Sequence, residues 1–130
     1  MSIPPPLAPE GVRRNDRRFV RLKTAIPAEL RGRTTFNGEV ADLSLGGCLV
    51  RSPVGPDEGV ILDLRFTLGV EAFAAKVRVK EVSVDGSARD SGHFLLGLEF
   101  LRLRASDQDL LRHFLATETR RRRGASAPPA

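Results

Sequence analysis

The chain is short of the residues around which many enzymes and metal proteins are built. Among its 130 residues there is one cysteine, Cys48, two histidines, His93 and His113, and no tryptophan or tyrosine. A lone cysteine excludes an internal disulfide framework and a cysteine-rich zinc site, and it suits a reducing compartment. The histidines fall in different expected elements and neither opens a metal-ligand spacing such as HExxH, so no metal site is expected. Asp42, Ser44 and the histidines show no order or spacing that would make a triad, and no glycine-rich strand-to-helix phosphate loop occurs, so no catalytic residue is assigned. No apolar run approaches the ~18 residues that cross a bilayer. The opening MSIPPPLAPEG lacks the basic-then-apolar order of a signal peptide, and a cytoplasmic chain without a transmembrane segment is expected. The seven phenylalanines fall mostly on apolar faces, which leaves few aromatic platforms for stacking single-stranded bases.

Charge is present but unevenly placed. The 21 basic side chains exceed the 16 acidic ones by a formal +5. Residues 1–23 carry six basic and two acidic groups and residues 118–130 carry four arginines and Glu118, which leaves 24–117 slightly acidic. A protein that holds long nucleic acid usually spreads basic residues over its folded face. Gathering them at the two ends argues against a broad duplex-binding surface, and no specific nucleic acid partner is expected.

The organisation along the chain is that of a small β domain. Residues 1–12, with Pro4, Pro5, Pro6 and Pro9, read as a flexible proline-rich lead. Alternation over 20–31 predicts a first strand, with Pro27 suiting an edge or a bulge. Asn37-Gly38 is a turn dipeptide, residues 39–43 can form a strand, and Ser44 to Gly47 form a loop before the apolar Cys48-Leu49-Val50. Residues 60–66 and the long run 70–84 follow, the latter with Ala75, Val77 and Val79 on one side and Lys76, Arg78 and Lys80 on the other. A polar hairpin loop at 86–92 then leads to a last strand at 93–100. Ser106 reads as the N-cap of a helix carrying the stripe Leu110, Leu111, Phe114 and Leu115, with Asp107 and Asp109 near its start and an end near 119. Six short strands and a C-terminal amphipathic helix indicate a mainly β fold, a six-stranded antiparallel β-barrel spanning 13–119. A basic, disordered tail is expected over 120–130, its Arg120 to Arg123 complementing the helix terminus or offering an anionic-docking patch.

Two features could carry function. The first is the arginine cluster Arg13-Arg14-Asn15-Asp16-Arg17-Arg18-Phe19-Val20-Arg21 just before the first strand, and the second is Asp42-x-Ser44-x-x-Gly47 between two later strands. An arginine fork can bind a phosphate through two hydrogen bonds, and it also matches O6 and N7 of guanine. The carboxylate of Asp42 can accept from the N1–H and N2–H₂ edge of guanine, for which arginine has no acceptor. Ser44 can donate to a phosphate or base oxygen, and Gly47 leaves room for a ligand against the backbone. Together they describe a site for a small, doubly anionic guanine nucleotide. Each half also has a plain reading: an arginine run can be a solvated arm, and Asp-x-Ser-x-x-Gly is a common turn sequence.

In this order the features resemble the PilZ domain family. The stretch Asp16-Arg17-Arg18-Phe19-Val20-Arg21-Leu22 looks like that family's RxxxR lead into its first strand, and Asp42-Leu43-Ser44-Leu45-Gly46-Gly47 matches its (D/N)xSxxG motif. The likeness continues through Gly97-Leu98-Glu99-Phe100 and the following helix, over about residues 13–116. It implies a six-stranded barrel that binds cyclic di-GMP on its outer face, with no cofactor. Carried over residue by residue, Arg17 and Arg21 take the two arginine positions, Arg18 is an adjacent support, and Asp42, Ser44 and Gly47 take the second motif. The pairs Arg13/Arg17 and Arg14/Arg18 share the same spacing; Arg17/Arg21 is preferred because Phe19-Val20-Arg21-Leu22 runs directly into the strand.

The function so implied is that of a non-enzymatic cyclic di-GMP receptor, monomeric or weakly dimeric. Its arginine arm closes on the ligand and alters a surface seen by a downstream protein partner, in control of motility or exopolysaccharide and biofilm behaviour. The alternative is a PilZ-like adaptor that works through protein contacts and binds nucleotide weakly or not at all. Non-specific nucleic-acid binding through the basic ends is a third reading, marked by steep salt dependence and no guanine preference.

Overall fold

Strict alternation of apolar and charged side chains builds the walls of this molecule. In residues 61–68 and 73–79 every second side chain is buried and the ones between are exposed, so one face of each strand must turn inward. The computed structural model describes residues 21–84 and 93–126. Within them lie six strands, β1 (Leu22–Arg31), β2 (Thr35–Leu43), β3 (Gly47–Ser52), β4 (Ile61–Leu68), β5 (Glu71–Val84) and β6 (Phe94–Arg102), followed by one helix, α1 (Ala105–Ser126). All neighbouring strands run antiparallel, and the sheet closes on itself as a barrel in the order β1-β2-β3-β6-β5-β4. The six-stranded barrel with a C-terminal helix read from the sequence is the observed fold.

Closure requires the strands to bend, and register shifts mark where they do. One lies between Lys23 and Ile26 on β1, one between Val40 and Asp42 on β2, and two on β5, between Lys76 and Val77 and between Val79 and Glu81. The Thr24 hydroxyl donates to the Val40 carbonyl at 2.6 Å across the first of these. Pro27 sits just beyond the β1–β4 ladder, which begins at Ala28, so β1 has no partner there on that side. Long β5 pairs with β4 along its first half and with β6 along its second, turning one sheet into a closed wall.

The core is an apolar cluster, with Ser52 and Asp107 the polar side chains buried most deeply beside it. Leu30, Val40, Leu43, Val50, Leu64, Phe73, Val77 and Leu96 are fully buried, each such side chain contributing about 1.5–3 kcal/mol relative to exposure. Phe73 stacks at 4.9 Å on Phe66 and meets Phe100 edge-on at 5.7 Å. Leu111 and Leu115 of α1 join this cluster, with Leu110 and Phe114 half-buried beside them, and the helix packs on β4 and β5. The expected apolar stripe is therefore the one the helix uses.

Three local expectations are corrected. Asn37-Gly38 is no turn: Asn37 pairs with Glu29 and Gly38 with Ala28 inside β2, and the chain reverses instead near Gly32, whose N–H reaches the Thr34 carbonyl at 2.9 Å. Gly38 is needed for closeness, since a Cβ there would stand 2.6 Å from the Arg51 carbonyl oxygen. The helix starts at Ala105, so Ser106 lies inside it rather than at its cap. The Arg104 carbonyl accepts the Gln108 N–H at 2.9 Å, and buried Asp107 accepts from Arg104 Nε at 3.0 Å. The helix also passes 119 and runs to Ser126, so the segment expected to open a disordered tail is helical through residues 120–123. Glu118 holds Arg121 and Arg122 one turn on, and Arg122 donates to the Lys23 carbonyl at 2.8 Å, which ties the helix end to β1. The lead at 1–12 and the hairpin loop at 86–92 lie outside the described residues.

Candidate functional site

The second motif folds into a tight connection between β2 and β3. The Ser44 N–H and hydroxyl both donate to the Gly47 carbonyl, at 2.9 and 3.2 Å, closing the turn on itself. The Phe100 N–H then donates to the Gly46 carbonyl at 3.0 Å and pins the turn to β6. Gly47 faces Glu99 in the β3–β6 ladder, and a Cβ at this position would collide with the Leu98 carbonyl oxygen. The barrel wall itself thus requires glycine here, a reason separate from the room for a ligand expected of it.

Arg21 precedes β1 and reaches across to the end of β2. Its Nε stands 3.5 Å from Asp42 Oδ1, close enough for charge attraction and too far for a good hydrogen bond. Asp42 Oδ1 is shut off from solvent and has no hydrogen-bond partner among the described residues. Arg21, Ser44 and Gly47 line a groove of about 450 Å³ on the outer face, together with Gly46, Leu49, Lys80, Gly97 and Glu99. Asp42 meets it through Arg21. Four of the six expected ligand residues, Arg21, Asp42, Ser44 and Gly47, are therefore brought to one place; Arg17 and Arg18 lie outside the described residues.

Cys48 is a buried residue that contributes to the groove's lining. Burial, and then the nearby Asp42 carboxylate, push its thiol far above the ordinary range, which disfavours the nucleophilic thiolate.

The sequence reading missed the far wall of the groove. Lys80 and Glu99 form it, with Lys80 Nζ 3.9 Å and Arg78 Nη1 3.6 Å from Glu99 Oε1. Glu99 Oε1 is likewise shut off from solvent with no hydrogen bond among the described residues, although the Glu99 side chain as a whole is 43% exposed. Alternation in residues 75–80 does mark Arg78 and Lys80 as outward-facing. Only the barrel order, which lays β6 against β3, brings them beside Ser44 and Gly47.

A second hollow of about 410 Å³ lies between the β1–β2 turn and the loop before β4, lined by Gly32, Phe36, Val54, Val60 and Leu62 with Arg33 and Asp57 at its edge. No buried carboxylate without a partner faces it among the described residues, and it gathers none of the motif residues. No described helix is long and apolar enough to cross a membrane.

Comparison with known proteins agrees with this geometry. The family described as the PilZ domain matches residues 13–117. No curated protein matches the chain. Among solved structures, the inhibitor of motility MotI/DgrA from Bacillus subtilis is 19% identical with a TM-score of 0.68, covering 80% of this chain and 52% of its own. The PilZ domain of YcgR from Escherichia coli, solved with c-di-GMP, is 17% identical with a TM-score of 0.66, covering 84% and 95%. The MrkH–c-di-GMP complex from K. pneumonia is 19% identical with a TM-score of 0.66, covering 81% and 54%. The chain thus spans about half the length of MotI and MrkH and nearly all of the isolated YcgR domain.

Proposed function

The chain belongs to the PilZ domain family, and we propose that within it this protein is a receptor for cyclic di-GMP with no catalytic step of its own. The observation that carries this reading is the Arg21–Asp42 pair at the mouth of a groove whose wall is the Ser44–Gly47 turn, so that members of two motifs 21 residues apart in sequence share one site. The related structures of YcgR and MrkH with c-di-GMP support the ligand's identity.

In the receptor, Arg17 and Arg21 clamp phosphate and guanine edges, Arg18 adds charge beside them, and Asp42 accepts from a guanine N1–H and N2–H₂. Ser44 and Gly47 hold the turn against which the nucleotide lies. The arginine arm is drawn over the ligand, and its closing changes a surface read by a downstream protein that controls motility or exopolysaccharide and biofilm behaviour. Calorimetric titration of wild type and Arg21→Ala tests this. The mutant should lose about 1–3 kcal/mol of binding, roughly one to two decades in affinity. A wild type that does not bind cyclic di-GMP, or a mutant that binds as well, would overturn it.

One observation keeps the adaptor reading in play: Ser44 is already satisfied by the Gly47 carbonyl, and Gly47 is already required by the Leu98 backbone. That reading predicts capture of a protein partner that is unaffected by cyclic di-GMP.

A further inference from the structure

Among the described residues, two buried side-chain oxygens lack a hydrogen bond, Asp42 Oδ1 and Glu99 Oε1; Glu99 lines this groove, and Asp42 stands behind the Arg21 that lines it. Each is a carboxylate held near cations without being bonded by them: Arg21 stands at 3.5 Å from the first, Arg78 and Lys80 at 3.6 and 3.9 Å from the second. These separations exceed those of a charge-assisted N–H···O bond, about 2.7–2.9 Å. The positive charge is balanced and the lone pairs are left open.

Each half of the groove also carries a bulge, beside the carboxylate on one side and at the cation on the other. Asp42 directly follows the register shift at Ala41, where β2 bulges against β3. Lys80 is the extra residue between the pairs Val79–Leu98 and Glu81–Gly97, where β5 bulges against β6. Bulges of this kind re-aim side chains at the edge of a site. Asp42, Leu49, Gly97 and Glu81 form one row across the outer face, and Glu99 lies two residues along β6 from Gly97 on that same face. Two strand widths, about 10 Å, separate β2 from β6. Leu49 on β3 lies between them, and Gly97 leaves the β6 position of the row without a side chain.

We infer that the groove is built as two half-sites of like chemistry, Arg21 with Asp42 and Lys80 with Glu99, and that Glu99 accepts the N1–H and N2–H₂ edge of a second guanine. This rests on the cyclic di-GMP reading above and deepens it, because a ligand with two phosphates and two guanines presents each demand twice. On binding, the partners exchange: Lys80 and Arg78 turn from the carboxylate to a phosphate, and Glu99 Oε1 turns from bare charge balance to two directed hydrogen bonds.

The test is a ratio, since deleting a carboxylate beside a dianion would strengthen any such ligand by charge alone. Dissociation constants for cyclic di-GMP and for cyclic di-inosine monophosphate, which lacks only the two exocyclic amines, are measured on wild type, Glu99→Ala, Glu99→Gln and Asp42→Ala. General electrostatics act on both ligands and cancel in the ratio. Wild type should prefer the guanine ligand, and Glu99→Ala should shrink that preference by about tenfold, the worth of one charge-assisted hydrogen bond. Asp42→Ala should shrink it by a like amount, and Glu99→Gln should shrink it with the outer face kept at its original volume. An unchanged ratio in both Glu99 variants alongside a reduced one in Asp42→Ala would overturn the role of Glu99 and leave the receptor standing. A wild type that binds neither nucleotide would overturn both.

Discussion

The same chemistry, a carboxylate beside a basic side chain, is finished differently on two flanks of the barrel. On the β4–β5 flank Lys76 donates to Asp63 Oδ1 at 2.9 Å, with both side chains more than half exposed. In the groove the cations stop 3.5 to 3.9 Å short of Asp42 and Glu99, and the oxygens they face are closed to solvent. An exposed pair can always fall back on water, so its bond is worth little and its loss costs little. An acceptor atom closed off without a protein donor is less well served, and among the described residues both such side-chain oxygens, Asp42 Oδ1 and Glu99 Oε1, lie at this site. Among the described residues, then, the groove is where carboxylate oxygens are left open to a further donor.

The largest test of the contrast separates the groove's fold from its chemistry. Gly47→Ala forces a methyl group into the Leu98 carbonyl, a backbone atom that cannot swing away. Overpacking of this kind costs about 1–3 kcal/mol, so thermal unfolding should move to a clearly lower temperature and nucleotide binding should go with it. Gly97→Ala places its methyl group 3.5 Å from the Glu81 Cβ, an ordinary contact. Its melting temperature should stay near that of the wild type while cyclic di-GMP binding weakens, because the groove floor has been raised. Equal melting temperatures for the two variants would break the assignment of Gly47 to the wall.

How much of this was legible in the sequence follows from the range of each signal. Period-two alternation is local, so the run 70–84 announced both its strand and, through Ala75, Val77 and Val79, its buried face, and residues 60–66 announced a strand. The stripe Leu110, Leu111, Phe114 and Leu115 announced the helix face in the same way. The two motifs, taken together, placed Arg21, Asp42, Ser44 and Gly47 in one site because their roles are fixed relative to the first and second strands. Gly38 misled, since a glycine in Asn-Gly favours a turn locally and only the approach of Arg51 and Val50 from β3 explains it inside a strand. Glu99 was hidden for the same reason: its neighbours Arg78 and Lys80 are about 20 residues away, and its facing partner Gly47 is 52 away, joined by barrel order alone. The helix end was underestimated because nothing near residue 122 signals a bond to the Lys23 carbonyl.

A smaller effect sharpens the contrast from the finished flank. Lys76→Ala removes the hydrogen-bonded cation from Asp63 but leaves that carboxylate in water. Stability should change by no more than about 1 kcal/mol, and cyclic di-GMP affinity should hold at low ionic strength apart from a slight general loss of positive potential. Chemical denaturation and calorimetric titration report the two quantities. A loss of affinity as large as that of Arg21→Ala would mean that the ligand lies over β4 and β5 rather than in the groove.

The smallest expected effect lies at the helix end, where the pairing is most complete. Arg121 donates to both oxygens of Glu118, at 2.7 and 3.2 Å, and Arg122 stands 3.5 Å away. The Arg121 hydrogen bonds are the largest influence on the Glu118 carboxyl and, with the charges of Arg121 and Arg122, hold it below its ordinary value against the opposing effect of burial. The sign follows directly: with the folded value depressed, the stabilisation is fully present above the ordinary carboxylate value and is lost as pH falls through the folded one. Because Arg122 also donates to the Lys23 carbonyl, protonating Glu118 loosens the contact that ties α1 to β1. Amide exchange over residues 118–124 should therefore be slower at pH 6 than the intrinsic rates predict, with that protection fading below the ordinary carboxylate range. Glu118→Gln should remove the pH-dependent part and leave protection in β4 and β5 untouched. Equal protection in wild type and variant at both pH values would show that packing of Leu111 and Leu115, rather than the Glu118 pairs, fixes where the helix ends.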